Sequence, residues 1–301
     1  MRVSTAHMFQ QGLDAIIDRQ SKLLKTQLEL SSGKRVRSPS DDPAAAARIL
    51  DLQQGVAITR QYQANILAAQ SRLELEDAVL GSVTNSLQRA RELAVGGLNG
   101  TQSAEDRAAM AKEIHQITEE VMALANTKDA NGDYLFAGFQ TQTVPFSTDG
   151  SGTYRYSGDQ GQRHLQVGPT RQVPVGDSGL DIFMKIRDAA GTGFRDVFTS
   201  LYELATDLEA NMPDSSSLTE LDNAIENILG IRAQAGARLN AIDREREVND
   251  SMLFELEQAR SAVEDIDFAE AASRLSRQSL VLQAAQQSFV RVQSLSLFNF
   301  L

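Results

Sequence analysis

The sequence lacks several residue types on which binding and catalytic chemistry commonly depends. It has no cysteine and no tryptophan, and only six prolines and three histidines among 301 residues. The absence of cysteine excludes disulfides, thiolate nucleophiles and cysteine-ligated zinc. His7, His115 and His164 fall in three different predicted elements without the close spacing that metal ligands need. We therefore expect no metal site and no cofactor.

Long apolar runs are also missing, which bears on where the protein acts. No stretch of 18 apolar residues occurs, so the sequence predicts no membrane-spanning helix and no membrane insertion. Residues 1–8 contain neither an apolar signal-peptide core nor a small-residue cleavage site. This predicts either a cytoplasmic protein or one that is exported without a cleaved signal peptide.

Positive charge is scarce and unevenly distributed. The net charge is −11, which argues against a nucleic-acid partner, because phosphates need a basic surface. Residues 1–60 are the exception: they carry nine Lys and Arg against six Asp and Glu. This region is a candidate for docking on an acidic partner, and a solvated helix face is an equally good interpretation.

No motif in the sequence predicts catalysis. The glycines of residues 96–100 lack the preceding strand and the lysine of a phosphate-binding loop, so we interpret them as the end of a helix. The acidic cluster Glu264, Asp265, Asp267 and Glu270 lacks the glycine turn of a calcium loop, which favours helix capping or solvated carboxylates. We identify no catalytic residues and expect that the protein is not an enzyme.

Helical periodicity is the strongest positive signal in the chain. Apolar residues recur at three- and four-residue spacing, which is typical of long bundle or coiled-coil helices. Helices are predicted at about 5–31, 43–96, 103–128, 215–262 and 266–296, with a short one from Phe194 to Leu208. Asp42 and Pro43 mark the start of the second helix, because aspartate accepts unpaired amides and proline suits the first helical position. Gly96 and Gly97 end it.

Residues 130–195 have a different character, with many glycines and short apolar runs. The segments 153–157 and 164–167 flank Gly158-Asp159-Gln160-Gly161, which predicts a hairpin that joins these two segments. We therefore expect a mainly α fold with a small β-rich domain. The N- and C-terminal halves would form a long antiparallel helical rod, a coiled-coil-like bundle, that the inserted β domain caps.

This organisation predicts four parts. They are an N-terminal assembly segment (1–42), a helical rod (43–130 and 215–265), a β-rich outer domain (131–214) and a C-terminal assembly helix (266–301).

The two ends of the chain are apolar-striped, and they are the candidate functional region. Because a helix is stabilised mostly by packing its stripe, we hypothesise that residues 1–31 and 270–301 are poorly ordered in the monomer and fold on assembly. For Lys34 and Arg35, ionic pairing with an acidic neighbour is the functional reading and a solvated loop the alternative. The candidate contact residues are Phe9, Leu13, Ile16, Leu24, Leu28, Lys34, Arg35, Leu275, Leu282, Phe289, Val292, Leu297, Phe298 and Phe300.

Both ends resemble the bacterial flagellin family. Residues 28–36, Leu-Glu-Leu-Ser-Ser-Gly-Lys-Arg-Val, and residues 40–43, Ser-Asp-Asp-Pro, resemble its N-terminal region. Residues 259–270, Ala-Arg-Ser-Ala-Val-Glu-Asp-Ile-Asp-Phe-Ala-Glu, resemble its C-terminal region. Filament flagellins commonly continue Asp-Asp-Ala-Ala-Gly-Leu, whereas this chain continues with Pro43 and four alanines. Residues 133–138 and 297–301 are similar to the hook–filament junction members of the family.

The resemblance implies a non-enzymatic structural adaptor of the bacterial flagellum. Its implied partners are hook-associated protein 1, flagellin and neighbouring copies of itself. The resemblance also implies an extracellular location after export through the flagellar type III apparatus, with an export chaperone on the C-terminal region before export. A short filament flagellin and a cytoplasmic coiled-coil scaffold are the alternatives.

Overall fold

The computed structural model describes residues 5–298, and it describes side chains for residues 7–291. Helices dominate the described residues, which confirms the predicted mainly α fold with a small β-rich middle. The helices are α1 (Thr5–Ser32), α2 (Pro43–Gly97), α3 (Ala104–Ala125), α4 (Val197–Glu209), α5 (Ser216–Glu264) and α6 (Phe268–Phe298). None of those within residues 5–298 is long and apolar enough to cross a membrane.

Side-chain caps fix where the long helices begin. The Asp42 carboxylate accepts the N–H of Ala45 at 3.0 Å, and Pro43 is the first residue of α2, which confirms the predicted start. Asp267 likewise accepts the N–H of Glu270 at 3.0 Å at the start of α6. The capping interpretation of the acidic cluster is therefore confirmed for Asp267.

The middle of the chain forms three separate two-stranded antiparallel pairs. The strands are β1 (Phe146–Thr148), β2 (Tyr154–Tyr156), β3 (His164–Gln166), β4 (Gln172–Pro174), β5 (Ile186–Arg187) and β6 (Phe194–Arg195). β1 pairs with β2, β3 with β4, and β5 with β6. The predicted hairpin between residues 153–157 and 164–167 is therefore wrong, since β2 and β3 pair with other strands.

Turn chemistry explains the difference. The turn between β1 and β2 has Gly150 and Gly152 at positive φ, and the Asp149 carboxylate accepts the N–H of Ser151 at 2.9 Å. The segment 158–161 is instead held by Asp159, whose carboxylate accepts the N–H of Phe139 at 2.9 Å. It is therefore tied to a distant loop and does not close a hairpin.

The short helix predicted from Phe194 begins three residues later, at Val197. Asp196 accepts the N–H of Thr199 at 2.6 Å and so caps α4. Phe194 and Arg195 precede this cap and belong to β6, which pairs with β5.

The chain divides into two compact units: one holds residues 1–58 and 251–301, and the other holds residues 59–250. We call them the terminal unit and the central unit. The four-part division drawn from the sequence stays a prediction. In the central unit, α2 and α5 run antiparallel, because Asp77 pairs with Arg232 at 2.8 Å and Arg91 pairs with Asp222 at 2.5 Å. Apolar side chains of α2, α3, α4 and α5 and of the strand region form its core.

A buried charged cluster lies where residues 175–178 meet α2 and α5. Glu76 is fully buried, and one of its carboxylate oxygens accepts the N–H of Asp177 at 3.1 Å. Its other oxygen, Oε2, has no hydrogen-bond partner within the described residues. Asp177 pairs with Arg238 at 2.8 Å. Burial, together with the nearby Asp177 carboxylate, raises the pKa of Glu76 to about 8.

Candidate assembly surface

The terminal unit is built on an antiparallel pair formed by α1 and α6. At one end the rings of Phe9 and Phe289 lie 5.0 Å apart between centroids. Further along, Arg274 pairs with Glu29 at 3.5 Å, and Glu29 is buried. These contacts link residues that are 245 and 280 positions apart in sequence, so α1 and α6 pack together although they lie near opposite ends of the chain.

Gly12 lets the two helices approach closely. A Cβ atom at this position would lie 2.9 Å from Cδ2 of Phe289, closer than real Cβ contacts. Glycine inside a helix costs about 1 kcal/mol relative to alanine. This cost is offset because the absence of a side chain at Gly12 leaves room for the Phe289 ring, which packs against Phe9.

A short backbone connection, which we call the clasp, joins residues 33–36 to residues 264–266. The N–H of Ile266 donates to the carbonyl of Gly33 at 3.0 Å, and the N–H of Arg35 donates to the carbonyl of Glu264 at 2.7 Å. The link between α1 and α2 is thereby bonded to the link between α5 and α6. The C-terminal end of α1 and the N-terminal end of α6 are therefore held next to each other.

Lys34 and Arg35, which are candidate partner contacts, are engaged within the chain at the clasp. The Lys34 ammonium pairs with the buried carboxylate of Glu264. The Arg35 guanidinium donates to the carbonyl of Val263 at 2.8 Å. A role for these two cations in binding a partner stays a prediction.

The link between α1 and α2 is held by a second charged contact. Lys25 pairs with Asp41 at 3.0 Å. Hydrogen bonds from Lys25 and then from Ser38 lower the pKa of Asp41 to about 2. The contacts of Asp41 with Lys25 and Ser38 thus stabilise its ionised form.

Much of the apolar surface of the terminal unit is exposed. Among its described side chains, the buried apolar residues are Val36, Ile49, Val56 and Ala271. The large apolar side chains left exposed on the helix pair are Met8, Phe9, Leu13, Ile17, Leu24, Leu28, Phe268, Leu280, Val281 and Val290. This concentration of exposed apolar side chains makes the helix pair a candidate interaction site.

The predicted apolar contact residues divide into three groups. Phe9, Leu13, Leu24 and Leu28 are exposed. Ile16, Leu275, Leu282 and Phe289 are half-buried. The side chains of Val292, Leu297 and Phe298, and the whole of Phe300, lie outside the described residues. The apolar candidates that can be placed therefore lie on α1 and α6, and their contacts with partners stay predictions.

Two arginines of the helix pair were not among the predicted residues. Arg19 of α1 and Arg277 of α6 line the same pocket, although they are far apart in sequence. No sequence signal brings them together, since only the antiparallel register of α1 and α6 does so. Over the part of the chain that the structure describes, no group of His, Asp and Glu side chains could hold a metal ion.

Comparison with known proteins agrees with this architecture. Residues 3–141 match the model of the bacterial flagellin N-terminal helical region, and residues 218–301 match that of the bacterial flagellin C-terminal helical region. The flagellar hook-associated protein 3 of Escherichia coli strain K12 is 33% identical, over 99% of both chains. That of Salmonella typhimurium strain LT2 is 31% identical, again over 99% of both chains.

A solved structure shows the same fold. The hook-associated protein 3 of Legionella pneumophila superposes with a TM-score of 0.68 at 22% identity, and covers 71% of this chain and 98% of that one. The family models match the two helical ends from which α1, α2, α3, α5 and α6 are built, and the relatives run the full length. The chain belongs to the bacterial flagellin family, within the group of the flagellar hook-associated protein 3.

Proposed function

We propose that the chain is a structural adaptor at the hook–filament junction of the bacterial flagellum. It polymerises through its terminal helices and joins hook-associated protein 1 to the flagellin filament. The observation that carries this proposal is the apolar surface that α1 and α6 leave exposed, in a chain whose full-length relatives are hook-associated proteins.

The energetics favour assembly through this surface. Fully burying a leucine or phenylalanine side chain is worth about 1.5–3 kcal/mol, so covering the exposed half of each one contributes on the order of 1 kcal/mol. Six such side chains lie on α1 alone: Met8, Phe9, Leu13, Ile17, Leu24 and Leu28. With the four of α6 they contribute about 10 kcal/mol, which is comparable with the roughly 4–15 kcal/mol of freedom lost on association.

Partners and location follow from this role. Neighbouring copies of the chain cover part of the apolar surface, hook-associated protein 1 lies on one side, and flagellin lies on the other. The protein reaches the outside of the cell through the flagellar type III export apparatus, with an export chaperone on its C-terminal region beforehand. An adaptor needs no reaction centre, so we propose no enzymatic activity.

Deletion of the gene tests the proposal against a short filament flagellin. We expect electron microscopy of the deletion strain to show hooks without filaments while flagellin accumulates in the medium. A filament flagellin would instead leave normal hooks with no shed flagellin. Labelling the protein in sheared flagella tests the alternative that it is a cytoplasmic scaffold, because a scaffold would be absent from that fraction.

A further inference from the structure

The charged side chains of α1 and α6 are mostly paired within the chain. The ion pairs are Asp18 with Lys22, Lys25 with Asp41, and Arg274 with both Glu29 and Glu270. Arg291 also has an interaction partner. Within the described residues, this leaves two cations, Arg19 and Arg277, and one carboxylate, Asp14, without a partner. All three are exposed.

The two free arginines share a pocket of about 250 Å³ between α1 and α6. Lys22 and Arg274 also line it, so four cations face a single carboxylate, that of Glu270. The pocket is therefore strongly basic in an acidic protein. Of the basic side chains that line it, only Lys22 and Arg274 pair with carboxylates among the residues that the structure describes.

The pocket also contains a polar atom that is not satisfied. Oε1 of Gln278 is buried and has no hydrogen-bond donor within the described residues. A buried acceptor left unpaired costs about 1–3 kcal/mol. An ionised carboxylate only accepts hydrogen bonds and would leave this oxygen unpaired, so Gln278 does not indicate the occupant. The unpaired guanidinium groups of Arg19 and Arg277 do, because they give the pocket the charge of a site for an anionic group from another molecule.

Charge complementarity identifies a second copy as that occupant. α1 and α6 together carry six Lys and Arg against four Asp and Glu, which is +2, so the rest of the chain carries −13. Among the side chains of the helix pair that the structure describes, the one carboxylate without a partner is Asp14. We propose that Asp14 of one copy enters the basic pocket of the next copy and pairs there with Arg19 and Arg277.

This charged contact can determine which partner binds and in which register, and the apolar surface alone cannot. Apolar burial is non-directional, whereas a carboxylate held by guanidinium groups fixes both partner and register. Because each copy carries both the carboxylate and the pocket, the contact repeats from copy to copy in a head-to-tail manner. The inference rests on the proposed function, since it requires that copies associate through α1 and α6.

Cross-linking in the assembled flagellum tests the contact directly. The natural chain has no cysteine, so introduced thiols are the only ones present. Chains with Asp14→Cys and chains with Arg277→Cys, carrying tags of different length, are co-expressed in the deletion strain and treated with a short bis-maleimide. We expect a mixed dimer of the two tagged chains. The control pairs Asp14→Cys with Arg155→Cys, an exposed arginine of the central unit without a described ion pair, and should give none.

Charge exchange provides a second, functional readout. Asp14→Arg places like charges together, and we expect it to reduce the number of attached filaments at least fivefold. Adding Arg19→Asp and Arg277→Asp to the same chain restores opposite charges between copies and should recover most of the loss. The effect of Asp14→Arg should weaken in high-salt medium, because salt screens exposed charges.

The two proposals fail in different ways. If the deletion strain keeps its filaments, the junction function itself is wrong. If the wild-type gene restores filaments but the Asp14–Arg277 cross-link is absent, only the proposed contact is overturned. The same conclusion follows if the triple charge exchange attaches no more filaments than Asp14→Arg alone.

Discussion

Glu76 should make the central unit less stable as the pH rises. Burial raises the pKa of its carboxyl to about 8 in the folded protein, against an ordinary value of 4.5. Between these two values the folded state keeps a proton that the unfolded chain releases, so the free energy of unfolding falls with increasing pH. The maximum slope is about 1.4 kcal/mol per pH unit. The slope is below this maximum near pH 5, so from pH 5 to pH 7 Glu76 lowers the stability by about 2.5 kcal/mol.

The substitution Glu76→Gln removes this dependence. Glutamine is neutral at every pH and keeps an oxygen that can accept the N–H of Asp177. The variant should therefore become more stable than the wild-type protein as the pH rises, with the gap growing by about 1 kcal/mol per unit between pH 5 and pH 8. Glu74→Gln is the matched control: it lies two residues away, is exposed, and should leave the pH profile unchanged.

The assay can be confined to the central unit. All five tyrosines, Tyr62, Tyr134, Tyr154, Tyr156 and Tyr202, lie within residues 59–250, and the chain has no tryptophan. Urea unfolding of the full chain, followed by tyrosine fluorescence at pH 5, 6, 7 and 8, therefore reports on that unit alone. A stability difference between Glu76→Gln and the wild type that stays constant across these pH values would refute the reasoning.

Three further substitutions test local features of the fold. Asp42→Ala removes the cap of α2 and should lower the free energy of unfolding by about 1 kcal/mol, measured by thermal denaturation; an unchanged Tm would contradict the capping role. Gly138→Ala should cost at least about 2 kcal/mol in urea unfolding, because a Cβ there meets the carboxylate and backbone of a neighbouring loop at positive φ. Gly132→Ala, at positive φ but in open space, should cost less, and equal losses would contradict the steric argument. Phe289→Ala should speed amide exchange along α1, whereas the exposed control Val290→Ala should not; equal exchange in both variants would count against the ring contact.

The helices could be predicted from sequence because their signals are local. The start of α2 depends on Asp42 and Pro43, which are adjacent, and its end lies at Gly97. Periodicity then carries the prediction over the many turns between them. The strands offer no such repeated pattern, because each is only two or three residues long. Whether Asp149 or Asp159 closes a hairpin depends on tertiary partners that the sequence does not reveal.

The candidate surface could be predicted in part for the same reason. A stripe of apolar residues predicts that one face of α1 packs against another segment. It does not predict which segment that is. In the structure Phe9 packs against Phe289, whereas Leu24 and Leu28 are exposed. Which of these side chains is covered depends on the register between α1 and α6, which are distant in sequence. The pairing of Lys34 with Glu264 and the shared pocket of Arg19 and Arg277 depend on that register too.

The clasp has a consequence for the order of folding. Phe9 and Phe289 are separated by 280 residues, and closing so long a chain segment costs conformational entropy that grows with the logarithm of its length. Once the bonds between residues 33–36 and 264–266 have formed, they close most of that loop. The remaining closure joins two short arms that start from one point, at a high effective concentration. The pairing of the terminal helices should therefore be a late and fast step that follows the antiparallel pairing of α2 and α5.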